Sequence, residues 1–363
     1  MSQQTRSNTI TKQCVGIDIS MDTFMACISH KTSEDEILVK STKQFNNKSE
    51  GFEHLLQWVS KFSIPTLPIV FVMEATGVYY ENLAYELIER EQSVSVQLAK
   101  NVKYFMQSHN IKSKTDSIDS QAIALMGLER KLSLWQPGSI RMRVLKQLSR
   151  ERSMLQTEQT VVKNQLHASQ HSYAPGLRTI KRMQTRLAVI KEQIAEVEQD
   201  MKKIVEKDSS LAERVANVCT IKGVGFISAI TVIAETNGFA LFNSKRQLIS
   251  YSGYDVVRKQ SGNSEAKARI SKKGNKNIRK ALYFPATSAA IHDPIMKQTY
   301  ERICQKTTIK MKANVALQRK LLVLIFTLYK NNVPYDHQYQ QNKELHLTNA
   351  IKNKAESIVN CSA

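Results

Sequence analysis

Apolar and polar positions along the chain change period twice, and each change marks a new kind of element. Between 14 and 43 short apolar runs alternate with turn residues. Stretches 14–20, 23–29 and 36–42 each read as a strand, separated by Ser20-Met21-Asp22 and Ser33-Glu34-Asp35. Phe52, Leu55, Leu56 and Val59 then recur at helical spacing within 47–62, and Pro65 and Pro68 close that helix. A continuous apolar strand at 69–73 runs into Glu74. A helix over 78–91, a fifth strand at 93–98 and helices within 100–130 come next. Strands first, then helix and strand in alternation, predict a mixed α/β sheet with its chemistry at strand ends.

From 139 to 205 the period becomes that of long helices. Leu148, Leu155 and Val162 lie seven apart, and Leu187, Ile190, Ile194, Val197, Met201 and Ile204 alternate spacings of three and four. Pro175-Gly176 separates the two runs, which predicts a helical hairpin or a pair of dimerising helices, with an intramolecular bundle equally compatible. Residues 209–335 carry short apolar helices, a glycine turn at Gly223-Val224-Gly225 and a basic loop over 258–280. The expected division is a metal-binding α/β domain at 12–135, a coiled-coil or helical linker at 139–207 and a mainly helical domain at 209–335. A polar, frayed tail at 336–363 completes it.

Charge narrows the partners. Lys and Arg number 52 against 32 acidic residues, a net charge of +20 and a pI near 9.7. Such an excess favours nucleic acid ahead of anionic membrane. The most apolar run, 321–326, is too short to cross a bilayer and lies between Lys320 and Lys330. The first eleven residues lack the apolar core of a signal peptide. Five cysteines, at 14, 27, 219, 304 and 361, form no metal-ligand spacing. A cytoplasmic, reduced protein without a membrane partner is expected.

Three features carry chemistry. Asp18 interrupts an apolar strand, where an uncompensated charge is costly and a metal ion is the usual compensation. Glu74 at a strand end, and Asp116 with Asp119 one helical turn apart, complete a set of carboxylates suited to Mg²⁺, with Mn²⁺ as a substitute. Taken singly, Asp116 reads equally as a helix cap, Asp119 as a first-turn acid and Glu74 as an exposed strand end. Second, Lys222, Gly223 and Gly225 open an apolar helix in the manner of a helix-hairpin-helix, whose free N–H groups bind phosphate. Third, Arg258, Lys259, Lys267, Arg269, Lys272, Lys273 and Lys276 crowd one stretch with Arg279 and Lys280, enough to neutralise several phosphates. Ser261 sits among them in Gln260-Ser261-Gly262; as a nucleophile it competes with Ser264 and Ser271.

The acidic motifs Val15-Gly16-Ile17-Asp18-Ile19-Ser20, Met73-Glu74-Ala75-Thr76-Gly77-Val78-Tyr79-Tyr80 and Lys114-Thr115-Asp116-Ser117-Ile118-Asp119 resemble the signature of the DEDD insertion-sequence transposases. These are relatives of the Piv/MooV DNA invertases and include bridge-RNA-guided recombinases. The resemblance continues through Gly223-Val224-Gly225, Tyr251-Ser252-Gly253, Gln260-Ser261-Gly262 and 270–275, and so spans nearly 14–332. It departs at Tyr254-Asp255-Val256, where Leu-x-Pro is usual, and at Met21, where Lys is common. The resemblance implies a RuvC-like, ribonuclease H-like first domain with Mg²⁺ on Asp18, Glu74, Asp116 and Asp119, and a C-terminal transposase domain with Ser261 as nucleophile. Element DNA, a structured guide RNA and a dimer or tetramer are the partners it implies. The alternatives are a ribonuclease H-like metal nuclease of the junction-resolvase type, and a non-catalytic scaffold whose acids are caps.

Overall fold

The computed structural model describes residues 9–113, 115–240, 242–261, 264–336 and 338, and of residues 259–261 and 264–268 the backbone alone. Apart from 336 and 338, the expected tail lies outside the described residues. The chain divides into two compact units, Met1–Pro137 and Gly138–Ala363.

In the first unit the strand-rich pattern becomes one five-stranded sheet. Strands β1 (Ile10–Ile19), β2 (Thr23–Thr32) and β3 (Ile37–Asn46) form an antiparallel meander, each extended at one end beyond its apolar run. On the other side of β1, β4 (Ile69–Glu74) and β5 (Ser93–Gln97) add in parallel, giving the order β3-β2-β1-β4-β5. Four helices connect and cover them: α1 (Ser49–Phe62), α2 (Glu81–Glu89), α3 (Ala99–Ser108) and α4 (Asp116–Glu129). This is the mixed α/β sheet that the element order predicts.

Both faces of the sheet are covered. On one, Ile17, Ile28, Phe71 and Met73 pack with Phe52 and Leu55 of α1 and Leu83 and Leu87 of α2. On the other, Cys14 and Val72 pack with Phe105 of α3 and Ile123 and Met126 of α4. Burial on both sides explains why β1 and β4 read as continuous apolar runs rather than alternating ones. It also explains why a lone Asp in β1 stands out.

The second unit is mostly helical. Helices α5 (Ile140–Gln170) and α6 (Leu177–Glu206) form a hairpin in which the two predicted seams meet each other. Val162 is buried against Leu187 and Ile190, with Leu155 and Ile194 alongside. The spacing that motivated an oligomer is therefore filled by the chain's own helix. Arg152–Glu198 (2.5 Å) and Arg186–Glu158 (2.6 Å) bridge the pair.

The base of this hairpin is built into the helical domain. Leu145, Val197, Met201 and Val205 share one core with α7 (Ser209–Cys219), α8 (Phe226–Glu235), α9 (Lys245–Tyr251), α10 (Lys276–His292), α11 (Pro294–Cys304) and α12 (Lys310–Asn331). Helix α12 runs through that core. Its Leu317, Leu321, Leu322 and Ile325 are fully buried, and each contributes roughly 2 kcal/mol. The apolar run at 321–326 is thus a core helix. Among the described residues no helix is long and apolar enough to cross a membrane.

One local expectation changes. The basic stretch expected as a loop instead forms an antiparallel hairpin, β6 (Val256–Ser261) with β7 (Ser264–Ile270). Only Ala266, Ala268 and Ile270 alternate with Lys267 and Arg269 along the sequence, and the dense charge around them masks that short period.

Candidate functional site

Backbone pairing brings the first two acids side by side. Ile17 on β1 is in register with Met73 on the parallel neighbour β4, so Asp18 and Glu74 come next at adjacent strand ends. Both are half-buried. Thr76 donates its hydroxyl to Glu74 Oε1 at 3.3 Å.

Helix α4 delivers the other two, and glycine sets its distance. Gly16 has α4 directly against it: a Cβ there would lie 2.2 Å from both the Ser120 carbonyl and the Ala124 nitrogen. At the opposite end of the contact, a Cβ on Gly127 would lie 2.3 Å from Cys14 Sγ. Helix positions 120 and 124 therefore lie over strand position 16, and 127 lies over 14. The helix runs antiparallel to β1, and its first turn lies toward the Asp18 end of the strand. Asp116 and Asp119 are in that first turn. The Thr115 hydroxyl caps the helix by accepting from the Ile118 N–H at 3.2 Å. The cap is thus Thr115, the residue before Asp116. Lys114 lies outside the described residues.

The turns beside these acids are tied by a residue that sequence reasoning did not single out. Asn47 donates its side-chain amide to the carbonyls of Ser20 (3.0 Å) and Tyr79 (3.1 Å), and its backbone N–H to the Asp22 carbonyl (2.8 Å). It joins the β1–β2 turn to the segment after Glu74. An Asn between a strand and a helix gives no sequence signal of such a role, because its partners are distant in the chain.

The donor set fits a hard divalent cation, since all four groups are carboxylates carried to one end of the sheet. Among the described residues no three His, Cys, Asp or Glu side chains stand close enough together to hold a metal ion. The folding gathers the backbone positions without drawing three carboxyl groups into a ligating cluster.

In the second unit the glycine turn is a connection between α7 and α8. Gly223 takes φ +92°, and a Cβ there would meet the Pro285 carbonyl at 2.8 Å, so its glycine answers to backbone conformation and packing. Gly225 has open space around it and leads α8 without a side-chain cap. Lys222 beside it is exposed. Of the basic residues named from sequence, Arg258, Arg269, Lys272, Lys273 and Lys276 are exposed. The side chains of Lys259 and Lys267 lie outside the described residues. Ser261 pairs with Ser264 across the hairpin tip, and its side chain lies outside the described residues too. Ser271 is half-buried, its hydroxyl donating to the Gly253 carbonyl at 3.2 Å.

Two transposase family models match the chain. One, described as a transposase of the DEDD IS110 type, covers residues 15–175; the other, described as the transposase IS116/IS110/IS902 family, covers residues 215–301. Together they span well over half of it. The chain belongs to the IS110 family of transposases.

Relatives match it over most of its length or about half of it. The pilin gene-inverting protein of Moraxella bovis is 27% identical over 92% of this chain and 100% of its own. The transposase for insertion sequence element IS1111A of Coxiella burnetii is 24% identical over 53% of this chain and 58% of its own. Among solved structures, Thermus thermophilus RuvC in complex with a Holliday junction substrate aligns with 34% of this chain and 99% of its own, at 8% identity and a TM-score of 0.27.

The transposase also holds a buried ionic centre beneath the hairpin. Glu235, with no exposed side-chain surface, closes α8 and accepts a two-point ion pair from Arg150 of α5 (2.7 and 3.0 Å). Asn275 and Asn277 each donate to it at 2.8 Å, and Tyr251 donates its hydroxyl to the Glu235 carbonyl at 3.1 Å. Burial alone would raise the carboxyl pKa, but Arg150 and the two asparagines more than offset it and hold it below the ordinary value. One carboxylate thus clamps α5, α8, α9 and the start of α10 at the base of β6–β7. Sequence reasoning missed this centre, although an acid closing the apolar helix 226–235 is a signal of the same kind as Asp18.

Proposed function

We propose that this transposase cuts and rejoins the DNA of an insertion sequence, with Asp18, Glu74, Asp116 and Asp119 holding Mg²⁺ and Ser261 acting as nucleophile. The observation that carries the reading is the seating of α4 on Gly16, which brings the turn carrying Asp116 and Asp119 toward the sheet end where the pairing of β1 with β4 sets Asp18 beside Glu74. Bound there, the divalent ion would neutralise charge building on a phosphodiester in the transition state. Ser261 Oγ would bond to phosphorus while a DNA hydroxyl leaves, and attack by a second DNA hydroxyl would restore the serine and join the new ends. Position favours Ser261 and its tip partner Ser264 over Ser271, and between those two the Gln260-Ser261-Gly262 motif of the resemblance selects Ser261. A hairpin tip is the part of the element farthest from the core, whereas the Ser271 hydroxyl is engaged with the Gly253 carbonyl.

The basic hairpin and the Gly225 end of α8 would track the DNA backbone without reading sequence. We further propose that target choice falls to a structured RNA, which the +20 charge would also accommodate. Joining two element ends requires two nucleophiles, so a dimer or tetramer would perform the full reaction.

A denaturing-gel trap tests the reading. Protein, element-junction DNA, flank-encoded RNA and Mg²⁺ are incubated beside Ser261→Ala and Asp18→Ala. The expected result is a protein–DNA adduct that both substitutions abolish. Cleavage without adduct, untouched by Ser261→Ala but lost with Asp18→Ala, would instead assign a metal nuclease of the resolvase type.

A further inference from the structure

A groove of about 450 Å³ opens at the base of the β6–β7 hairpin, between α10 and α12. Its lining combines two chemistries. Tyr283 and Phe284 of α10 are exposed, Phe284 by 75%, with their rings edge to face at 5.2 Å, and Met311 of α12 is also exposed. Lys272, Arg279 and Lys280 line the same groove, and among the described residues no carboxylate does.

Large exposed rings cost solvation unless something covers them. The cations restrict what that cover is. A second copy of this chain carries +20, so a basic groove would repel most of its surface. An unpaired nucleotide meets both demands: its base offers a face to stack on an aromatic ring, and its phosphate offers the charge that lysine and arginine neutralise. A duplex cannot use the rings, because its bases are already stacked on each other.

The cations are placed rather than merely present. Arg279 is fixed by donation to the Ser252 carbonyl at 2.8 Å, and Lys280 by donation to the Ser153 hydroxyl at 2.7 Å. Lys272 takes φ +53° just after β7, a left-handed turn that closes the hairpin's base. Ile270, the last residue of β7, lines the groove as well. Ser264 lies six strand steps before it, about 20 Å at strand rise.

We infer that this groove binds an unpaired nucleotide of single-stranded nucleic acid, its base stacked on Phe284 and Tyr283 and its phosphate held by Lys272, Arg279 and Lys280. The inference rests on the nucleic-acid reading above and adds a strand-specific site to it. In the reaction it would hold a displaced or looped strand one hairpin's length from the tip.

The test uses full-length protein and single strands carrying 2-aminopurine, one of DNA and one of RNA, beside a duplex of the same sequence. Wild type should quench the fluorophore in at least one single strand, and the arm that responds names the source. Phe284→Ala should weaken that strand about tenfold, since one base–aromatic stack is lost, and leave duplex affinity within twofold. Phe284 is largely exposed, so its removal spares the fold; Tyr283→Ala should act in the same direction. Single-strand affinity unchanged in Phe284→Ala, with duplex binding intact, would overturn the groove alone. So would an equal loss for duplex and single strand, or a change only in oligomeric mass by light scattering. Failure of wild type to bind any of the three nucleic acids would overturn the underlying reading instead.

Discussion

Glu235 shows how much one residue can organise. A buried carboxylate is tolerable only while its partners stay, so Arg150→Ala should destabilise the second unit by about 2 kcal/mol. That is less than a fully enclosed pair would lose, because half of the Arg150 side chain meets solvent. Chemical denaturation measures it, and a loss below 0.5 kcal/mol, on the order expected of a surface pair, would demote the clamp. The pH dependence has a defined sign. The Glu235 carboxyl titrates below its ordinary value of 4.5 in the folded chain, so its stabilisation is complete above that value. It is lost as pH falls through the ordinary value and on through the depressed one. Melting temperature should fall across that acid range in wild type and fall less steeply in Glu235→Gln. Asp18 is the counterpart in the first unit. If Asp18 holds Mg²⁺, thermal stability should rise with Mg²⁺ in wild type and stay flat in Asp18→Asn; equal responses would remove Asp18 from the metal set.

At the scale of elements, the contact between α4 and β1 governs the candidate metal end. Adding one methyl at Gly16 would place it 2.2 Å from two backbone atoms, which neither can evade by a side-chain rotation. Gly16→Ala should therefore cost about 2 kcal/mol through overpacking. By displacing the first turn of α4 it should also reduce strand cleavage at least tenfold, since ångström-scale misplacement is costly to catalysis. Cleavage rates together with melting curves check this; full activity with a shifted helix would mean that Asp116 and Asp119 are dispensable. The long helices α5 and α6 had two readings from their heptads. Burial of Val162 against Leu187 and Ile190 selects the intramolecular one, and no spacing could have done so, because a seam looks the same whichever helix fills it.

On the whole-molecule scale, two units with separate cores should unfold separately. Calorimetry of the full chain is expected to resolve two transitions, with Arg150→Ala lowering one of them and Gly16→Ala the other. A single transition shifted by both substitutions would show that the units unfold as one. The net charge makes a second forecast. Exposed cations along the hairpin and after it, Arg258, Arg269, Lys272, Lys273 and Lys276, would displace counterions from DNA. Affinity should then drop on the order of a thousandfold between 50 and 200 mM salt, and a nearly flat dependence would argue against phosphate as the main contact.

The order of strands and helices in the first unit is legible in the chain itself, because two-sided burial leaves unbroken apolar runs and turn residues punctuate them. Asp18 also announces itself, since a lone carboxylate in such a run has no ordinary explanation. Glycine positions, by contrast, say nothing of their purpose: Gly16 admits a helix, Gly223 turns the chain against α10, and Gly225 faces open space. The hairpin under Ser261 is hidden by its charge, which overwrites the period of two that a strand would otherwise show. Tertiary structure alone decided which distant groups meet. Glu235 lies 85 positions from Arg150 and 40 from Asn275, and Asn47 ties the β1–β2 turn to the segment after Glu74. Local propensity reaches only a few residues along the chain; hydrogen bonds and packing reach across the space that folding closes.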